Sequence, residues 1–434
     1  MKKLISILTC LIISTTICFS QGTNPESKNA KPGVIDQSIK IETDQIFNKL
    51  IDIRRDLHEN PELAGKEMRT QKIIAQYLVN LGLDVDTNVY GHAVVGILKG
   101  GKSGKKIVWR SDMDALPNDF ADPVAFKSKT KGVQHGCGHD VHMAIGLGIA
   151  EVLSKHKKSL SGTVYFVFQP EEETFIGAKG MINDGLFSKI HPDEIYGLHV
   201  SATAVGQITV KPNEMFAYQK RIRIQLKKEV SADAAKALSN KIYSTLARAT
   251  EGSKPWDLQN VVDTKIGIGS PNTIYKDYLI MDQSFTNYAK NDTRFLEAYI
   301  YETNLSNVKN IIPKVRQVIE DSGYKEQLLS ISYIQDNPTV INDEKLTNSA
   351  IKTLERIYGN DVVKTDYGQV PYFNDDFCYF QQKIPGVYFI LGGSNFAKGV
   401  IAMNHAPNFQ VDEECIRIGV KCFSSLVVER LSKN

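Results

Sequence analysis

Gln134-His-Gly-Cys-Gly-His-Asp-Val-His142 places three imidazoles and one thiol within nine residues. The run after it, 140–156, predicts a helix, with Val141, Ala144, Ile145 and Ile149 recurring on one face. Asp140 suits the N-cap, where a carboxylate accepts from free backbone N–H groups. Cys137 and His139 then precede the helix. Side chains two apart share a side in extended backbone and diverge on a helix, so these two converge only from a loop. Thiolate and imidazole are soft to borderline ligands, suited to zinc or a similar divalent transition metal. A Cys-x-His pair alone is weak, and the rest of the chain has to supply the missing ligands.

Working outward, a length of 434 residues predicts two domains. The charged fraction of 23% and hydrophobic fraction of 42% are those of a soluble globular protein. A net charge of +3 from nearly balanced acids and bases leaves no electrostatic footprint for nucleic acid. Lys2 and Lys3, the apolar run 4–19 and the small residue Ser20 predict a secretory signal peptide over 1–20, and hence a periplasmic or secreted protein. That run is short for a membrane span and interrupted by Ser and Thr, so no membrane contact is expected after cleavage. Residues 21–41 are polar, with Pro, Gly, Ser and Asn, and read as a flexible lead-in. Beyond the leader stand Cys137, Cys378, Cys415 and Cys422. Exported proteins usually pair their cysteines, but Cys415 and Cys422 lie seven apart on an expected helix, about 10 Å along its axis, beyond reach of a bridge. A ligand role for Cys137 accounts for a thiol retained in an oxidising compartment.

The flanking segments repeat strand, loop and helix. Residues 43–60 predict a helix on the stripe Ile46, Leu50, Ile53 and Leu57, and 67–81 a second. Residues 93–98 and 106–109 read as strands. Asp112 and Asp114 follow the second, at a strand end where open α/β sheets place their chemistry, although turn-forming or capping acids fit as well. Strand 163–168 delivers Gln169-Pro-Glu-Glu-Glu173, adjacent carboxylates that repel one another unless a cation is near. A helix is expected over 176–186, and a strand over 194–198 that ends at His199. From 216 to 333 the pattern changes to strands at 221–226, 278–288 and 295–301 with helices at 232–246 and 308–321, an α+β habit. After Asn337-Pro338 the first pattern resumes with helix 345–358, strand 386–391 and helix 412–431. The fold class expected is α/β: a mixed-sheet catalytic domain in two parts, 42–215 and 334–434, with an inserted α+β lid domain, 216–333.

The candidate ligands are Cys137, His139, one of the glutamates, His199 and His405, the last in Met403-Asn-His-Ala-Pro407 before the final helix. Any one of these histidines alone reads as an ordinary surface or core residue. Together they occupy strand ends and pre-helix loops beside a run of acids. Five ligands exceed the four of a structural zinc site and suit two metals. Such a pair lowers the pKa of a shared water, and a neighbouring carboxylate can then move its proton to a leaving group.

At this point the motifs carry a family likeness. Arg55-Asp-Leu-His-Glu-Asn-Pro-Glu62, Arg110-Ser-Asp-Met-Asp-Ala-Leu-Pro117, His135-Gly-Cys-Gly-His-Asp-Val-His142, Phe168-Gln-Pro-Glu-Glu-Glu173, Gly197-Leu-His199, Asp375-Asp-Phe377 and His405-Ala-Pro407 follow in order. In these the chain resembles the M20 metallopeptidases, and among them the amidohydrolases of N-acyl amino acids, hippurate and auxin conjugates. The resemblance implies Cys137, His139, Glu173, His199 and His405 as ligands of two divalent ions, zinc or manganese first, with nickel and cobalt also accepted. It implies Glu172 as general base and acid, a small-molecule N-acyl amino acid or peptide-like substrate, and a lid domain of the kind that forms homodimers. Glu171 stands where the family carries a small residue and reads as a bystander. His142 matches a position outside the ligand shell, and His58 a structural one.

The likeness fails in the lid. Family members carry a histidine on its first strand and helix that polarises the scissile carbonyl, but this stretch reads Ile224-Gln-Leu-Lys-Lys-Glu-Val-Ser-Ala-Asp233. The nine histidines are at 58, 92, 135, 139, 142, 156, 191, 199 and 405, so neither this chain nor a second copy offers an imidazole from the lid. Arg221, Arg223, Tyr275 or another donor then substitutes, or the substrate differs, or turnover is slow. The alternative reading is a binding protein that holds metal or an acyl amino acid without turnover.

Overall fold

The structure, a computed structural model, describes residues 33–432 apart from 264 and 366. The expected signal peptide lies outside the described residues. Eight strands form one mixed sheet, edge to edge Asp84–Asp86, Val94–Lys99, Ser161–Gln169, Lys102–Asp112, Glu194–Ala204, Gly386–Ser394, Ile208–Thr209 and Val363–Lys364. The four long strands in the middle run parallel, so their C-terminal ends share one edge. Their side chains alternate between two cores. Phe166 and Phe168 pack with Leu50, Ile145 and Phe423 on one face, while Tyr165 and Val167 pack with Met181, Phe380 and Tyr388 on the other. Burial on both faces is why these strands read as continuous apolar runs.

The inserted chain forms a second, antiparallel sheet of Tyr218–Lys227, Leu279–Met281, Thr286–Lys290, Thr293–Glu302 and Leu328–Asp336. Ile222, Ile224 and Leu226 alternate under the helices Ala232–Leu246 and Leu305–Asp321, where they meet Leu238, Ile242, Ile311 and Val315. Arg221 and Arg223 point to the other, helix-free face by the same two-residue period. Among the described residues no helix is long and apolar enough to cross a membrane.

Several expectations on local structure are corrected. The lead-in does not extend to 41: the first helix is Val34–Glu59, because Ile39 is fully buried in the core and Asp36 accepts the Gly33 N–H at 3.0 Å. The helix expected over 176–186 breaks at Gly185, which has φ 87°, into Gly177–Asn183 and Leu186–Ile190. The strand that carries His199 does not stop there but runs to Ala204, paired with Gly386–Ser394. The helix after the 134–142 stretch is His139–Lys155, and its N-cap is Gly138, not Asp140.

Candidate metal centre

Gly138 has φ 95°, a left-handed conformation that glycine adopts without steric cost, and a Cβ there would lie 2.4 Å from Val200 Cγ1. This turn lets Cys137 in the loop and His139 in the first helical turn face one point. Asp140 is thereby released from capping. It is fully buried, with Oδ2 at 2.8 Å from Arg54 Nε and 2.8 Å from His58 Nδ1, and so ties the first helix under the loop. His58 is the buried partner of Asp140 and Asp122.

The expected ligands come together. Cys137 Sγ lies 3.2 Å from His199 Nε2 and 3.1 Å from His405 Nε2, and His405 Nε2 lies 3.2 Å from Glu173 Oε1. His139 Nε2 is 3.8 Å from Glu173 Oε1 and 3.7 Å from Glu172 Oε2. Two triads result, Cys137–His139–His199 and Cys137–Glu173–His405, which share the thiol. Donor atoms around one tetrahedral ion with ordinary bond lengths stand about 3.5 Å apart, so the spacing fits cations held between these groups.

The imidazole protons sort ligand from support. His139 Nδ1 donates to the Asp114 carbonyl at 2.8 Å, and His199 Nδ1 to the Val200 carbonyl at 2.8 Å. A carbonyl only accepts, so in the neutral ring it is Nε2 that carries the lone pair and turns it to the centre. His139 Nε2 is buried without a hydrogen-bond partner, an arrangement costly to a protein unless something binds there. His142 is arranged the other way. Its Nε2 accepts the Val200 N–H at 2.8 Å and its Nδ1 donates to Asp112 Oδ1 at 2.6 Å, which leaves no lone pair for a metal.

Electrostatics point the same way. Burial opposes a proton on His139, yet Asp112, Asp114 and Glu173 outweigh it and raise its pKa to about 10. Burial, then Asp375 and Glu173, push the Glu172 carboxyl well above its usual range. Burial and the Glu173 and Glu172 carboxylates likewise push the Cys137 thiol up. The pocket is one that gains from positive charge.

Asp114 also shapes the acidic turn, accepting the Glu172 N–H on Oδ1 at 3.1 Å and the Glu173 N–H on Oδ2 at 3.0 Å. Arg110, fully buried, joins motifs far apart in sequence: Nε donates to Gln169 at 2.8 Å, Nη1 to Asp112 at 2.5 Å and Nη2 to Asp376 at 3.0 Å, with Asp375 at 3.1 Å. That guanidinium explains how carboxylates at 112, 375 and 376 crowd behind Glu172 without solvent.

A cavity of about 550 Å³ opens over Cys137, Glu172, Glu173, His199 and His405. Phe175, Tyr372, Phe373 and Met403 wall it, and the inserted chain, whose sheet runs to Asp336 rather than ending at 333, contributes Gln219, Trp256 and Gln335. The substitutes considered from sequence do not line it. Arg221 and Arg223 are held by Glu297, each at 2.7 Å, and stack on Tyr299 and Phe295; Tyr275 is buried against Tyr278. Two other amides on the wall are engaged, Asn404 with the Cys137 carbonyl at 2.8 Å and Asn374 with the Pro338 carbonyl at 2.8 Å. Sequence reasoning missed Gln219 and Gln335. Their only signal is position, at the two crossings between the domains.

The Peptidase family M20/M25/M40 matches residues 108–429. Thermostable carboxypeptidase 2 of Saccharolobus solfataricus is 31% identical over 414 residues, covering 92% of this chain and 99% of that protein. N-acetylcysteine deacetylase of Bacillus subtilis is 31% identical over 391 residues, covering 89% and 98%. Among solved structures, a dinuclear metal binding peptidase of the M20 family from Bacillus subtilis superposes with a TM-score of 0.72 at 28% identity, covering 90% of this chain and all of that one. On the length of the family match and the end-to-end likeness to these relatives, this chain is a hydrolase of peptidase family M20/M25/M40.

Proposed function

We propose that the chain is an exported, metal-dependent amidohydrolase that cleaves the amide bond of N-acyl amino acids or small peptide-like substrates. The observation that carries this reading is the convergence of Cys137, His139, Glu173, His199 and His405 on one centre, with the buried carboxylate of Glu172 against it. A carboxypeptidase and a deacetylase of an N-acetyl amino acid both act at an acyl–nitrogen bond, which supports the substrate class. The five residues are the proposed ligands of two divalent cations, and the dinuclear character of the Bacillus subtilis peptidase supports that count. Zinc or manganese suits the donor set first, and nickel or cobalt would also be accepted.

The chemistry that two such cations supply when bound is Lewis acidity toward a water and a carbonyl oxygen. The rest falls to the chain. Glu172 takes a proton from the attacking water as its oxygen bonds to the acyl carbon. It then delivers that proton to the amide nitrogen as the C–N bond breaks, giving a carboxylic acid and a free amine. Its burial keeps bulk water from intercepting the proton. Phe175, Tyr372 and Phe373 offer an apolar wall to the acyl group.

The test is release of free amino acid from a panel of N-acyl amino acids by metal-loaded protein. Release is expected to stop on chelation and return when zinc or manganese is restored. No release from any member of the panel by fully loaded protein would overturn the reading in favour of a binding protein without turnover. Export rests on the leader alone, and N-terminal sequencing of the mature protein from periplasm or medium tests it, with a start near Gln21 expected.

A further inference from the structure

The turn that carries Glu172 and Glu173 is conformationally strained. Glu171 has φ 59° and Phe175 φ 59°, so the two glutamates sit between non-glycine residues in left-handed backbone. That region is unfavourable for an L side chain and persists only where surrounding contacts enforce it. Three consecutive N–H groups show what enforces it here. Those of Glu172 and Glu173 go to Asp114, and that of Glu171 goes to Glu67 Oε1 at 3.0 Å.

Glu67 is fully buried and stands at the start of the helix Met68–Asn80, where a carboxylate would ordinarily serve as the cap. It does not. Glu62 does that work, accepting the Arg69 N–H on Oε1 at 3.1 Å and the Thr70 N–H on Oε2 at 2.8 Å. The Glu67 side chain makes no capping bond to its own helix. It reaches instead across the fold to a turn 104 residues away. Burying a carboxylate is costly, and helix capping does not account for it.

We infer that Glu67 is a positioning residue for the metal turn: by accepting the Glu171 N–H it holds a left-handed residue in place and so aims Glu172 and Glu173. The inference rests on the roles given to those two residues above. The Glu171 side chain is drawn into the same support, with Tyr90 Oη donating to Oε2 at 3.3 Å. Of the residues that could stand at 171, glycine alone would hold such a turn without help, because any Cβ is penalised in left-handed backbone. The glutamate here makes the turn depend on Glu67.

That dependence gives a rescue test. Glu67→Met removes the acceptor at similar length, and Glu67→Gln keeps one. Zinc affinity, read by competition with a chromogenic chelator, and kcat and KM are measured for both. Glu67→Met is expected to lose about tenfold or more in zinc affinity and in kcat/KM, as removal of groups that orient ligands does, while Glu67→Gln stays near wild type. Adding Glu171→Gly to Glu67→Met should restore both values to within about threefold, because glycine takes a positive φ without support. Wild-type values for Glu67→Met, or no recovery in the double variant, would overturn the inference. Should Glu67→Met fail to fold, Glu67→Ala with and without Glu171→Gly is read the same way. If wild-type protein binds zinc but hydrolyses nothing, the amidohydrolase reading falls while the affinity arm still decides this one.

Discussion

The C-terminal edge of the large sheet and the helix-free face of the inserted sheet both border the same cavity, and they are built to different demands. At the sheet edge Asp112, Asp114, Cys137, His139, His142, Glu172 and His199 are all buried. Their polar atoms are either matched one to one or turned to a common centre. On the inserted face the half-buried Arg221 and Arg223 stack on aromatic rings and both pair with the buried Glu297, so its charge is met by two guanidinium groups of the fold itself. Ionisable groups are kept out of water only where something repays their desolvation. The first region is therefore organised to receive a positive charge. The second is organised by folding alone, and it sends only two amides and an indole to the cavity.

Three substitutions, with a fourth as control, sharpen or break that contrast. The largest effect belongs to the sheet edge: Glu172→Gln should lower kcat by about a thousandfold, as loss of a general base does, with both metal equivalents retained by elemental analysis. Hydrolysis at the wild-type rate would remove the proton carrier from the scheme. Next comes the inserted core. Ile300, fully buried on the central strand Thr293–Glu302, should cost about 3 kcal/mol of unfolding free energy as Ile300→Ala, measured by urea titration. Metal stoichiometry should stay unchanged, and loss of metal would mean that the two regions are not separable. The smallest concerns the shared border. Gln335 has a half-buried side chain on the cavity wall, and Gln335→Leu should reduce kcat/KM by about tenfold, below the typical cost of an oxyanion donor. Arg223→Ala is the control, with less than a twofold change expected. The reverse ranking would mean that the arginines leave Glu297 to meet the substrate.

Much of the sheet edge was legible in the letters because its chemistry is rare. A thiol and imidazoles beside adjacent carboxylates do not arise from helix or strand periodicity, so Cys137, His139, His199 and His405 stood out as a set, while Glu173 was told from its neighbours only by the family likeness. The change of pattern near 216 was legible because the hydrophobic period there differs from that of its surroundings, but the inserted sheet runs on to Asp336, past the expected end at 333. Less was legible where one polar residue competes with another for the same job. Asp140 looked like a helix cap, but Gly138 took that place and Asp140 went to Arg54 and His58. Glu171 looked idle, but its backbone holds φ 59° against Glu67. Arg221, Arg223 and Tyr275 looked like donors for the cavity, and Gln219 and Gln335 stand there instead.

By itself the sequence determined which residue types can bind metal and move a proton, though not which glutamate does which, and that the first structural pattern is interrupted and resumed. These are properties of residue type and local period, and no partner is needed to read them. Only the tertiary structure decided which lone pairs are left free, which acid supports which turn, and which strand residues of the insertion meet the site. Those outcomes depend on sheet register and on contacts between positions more than a hundred residues apart. A shift of one residue there would turn Gln219 away and bring its neighbours to the cavity.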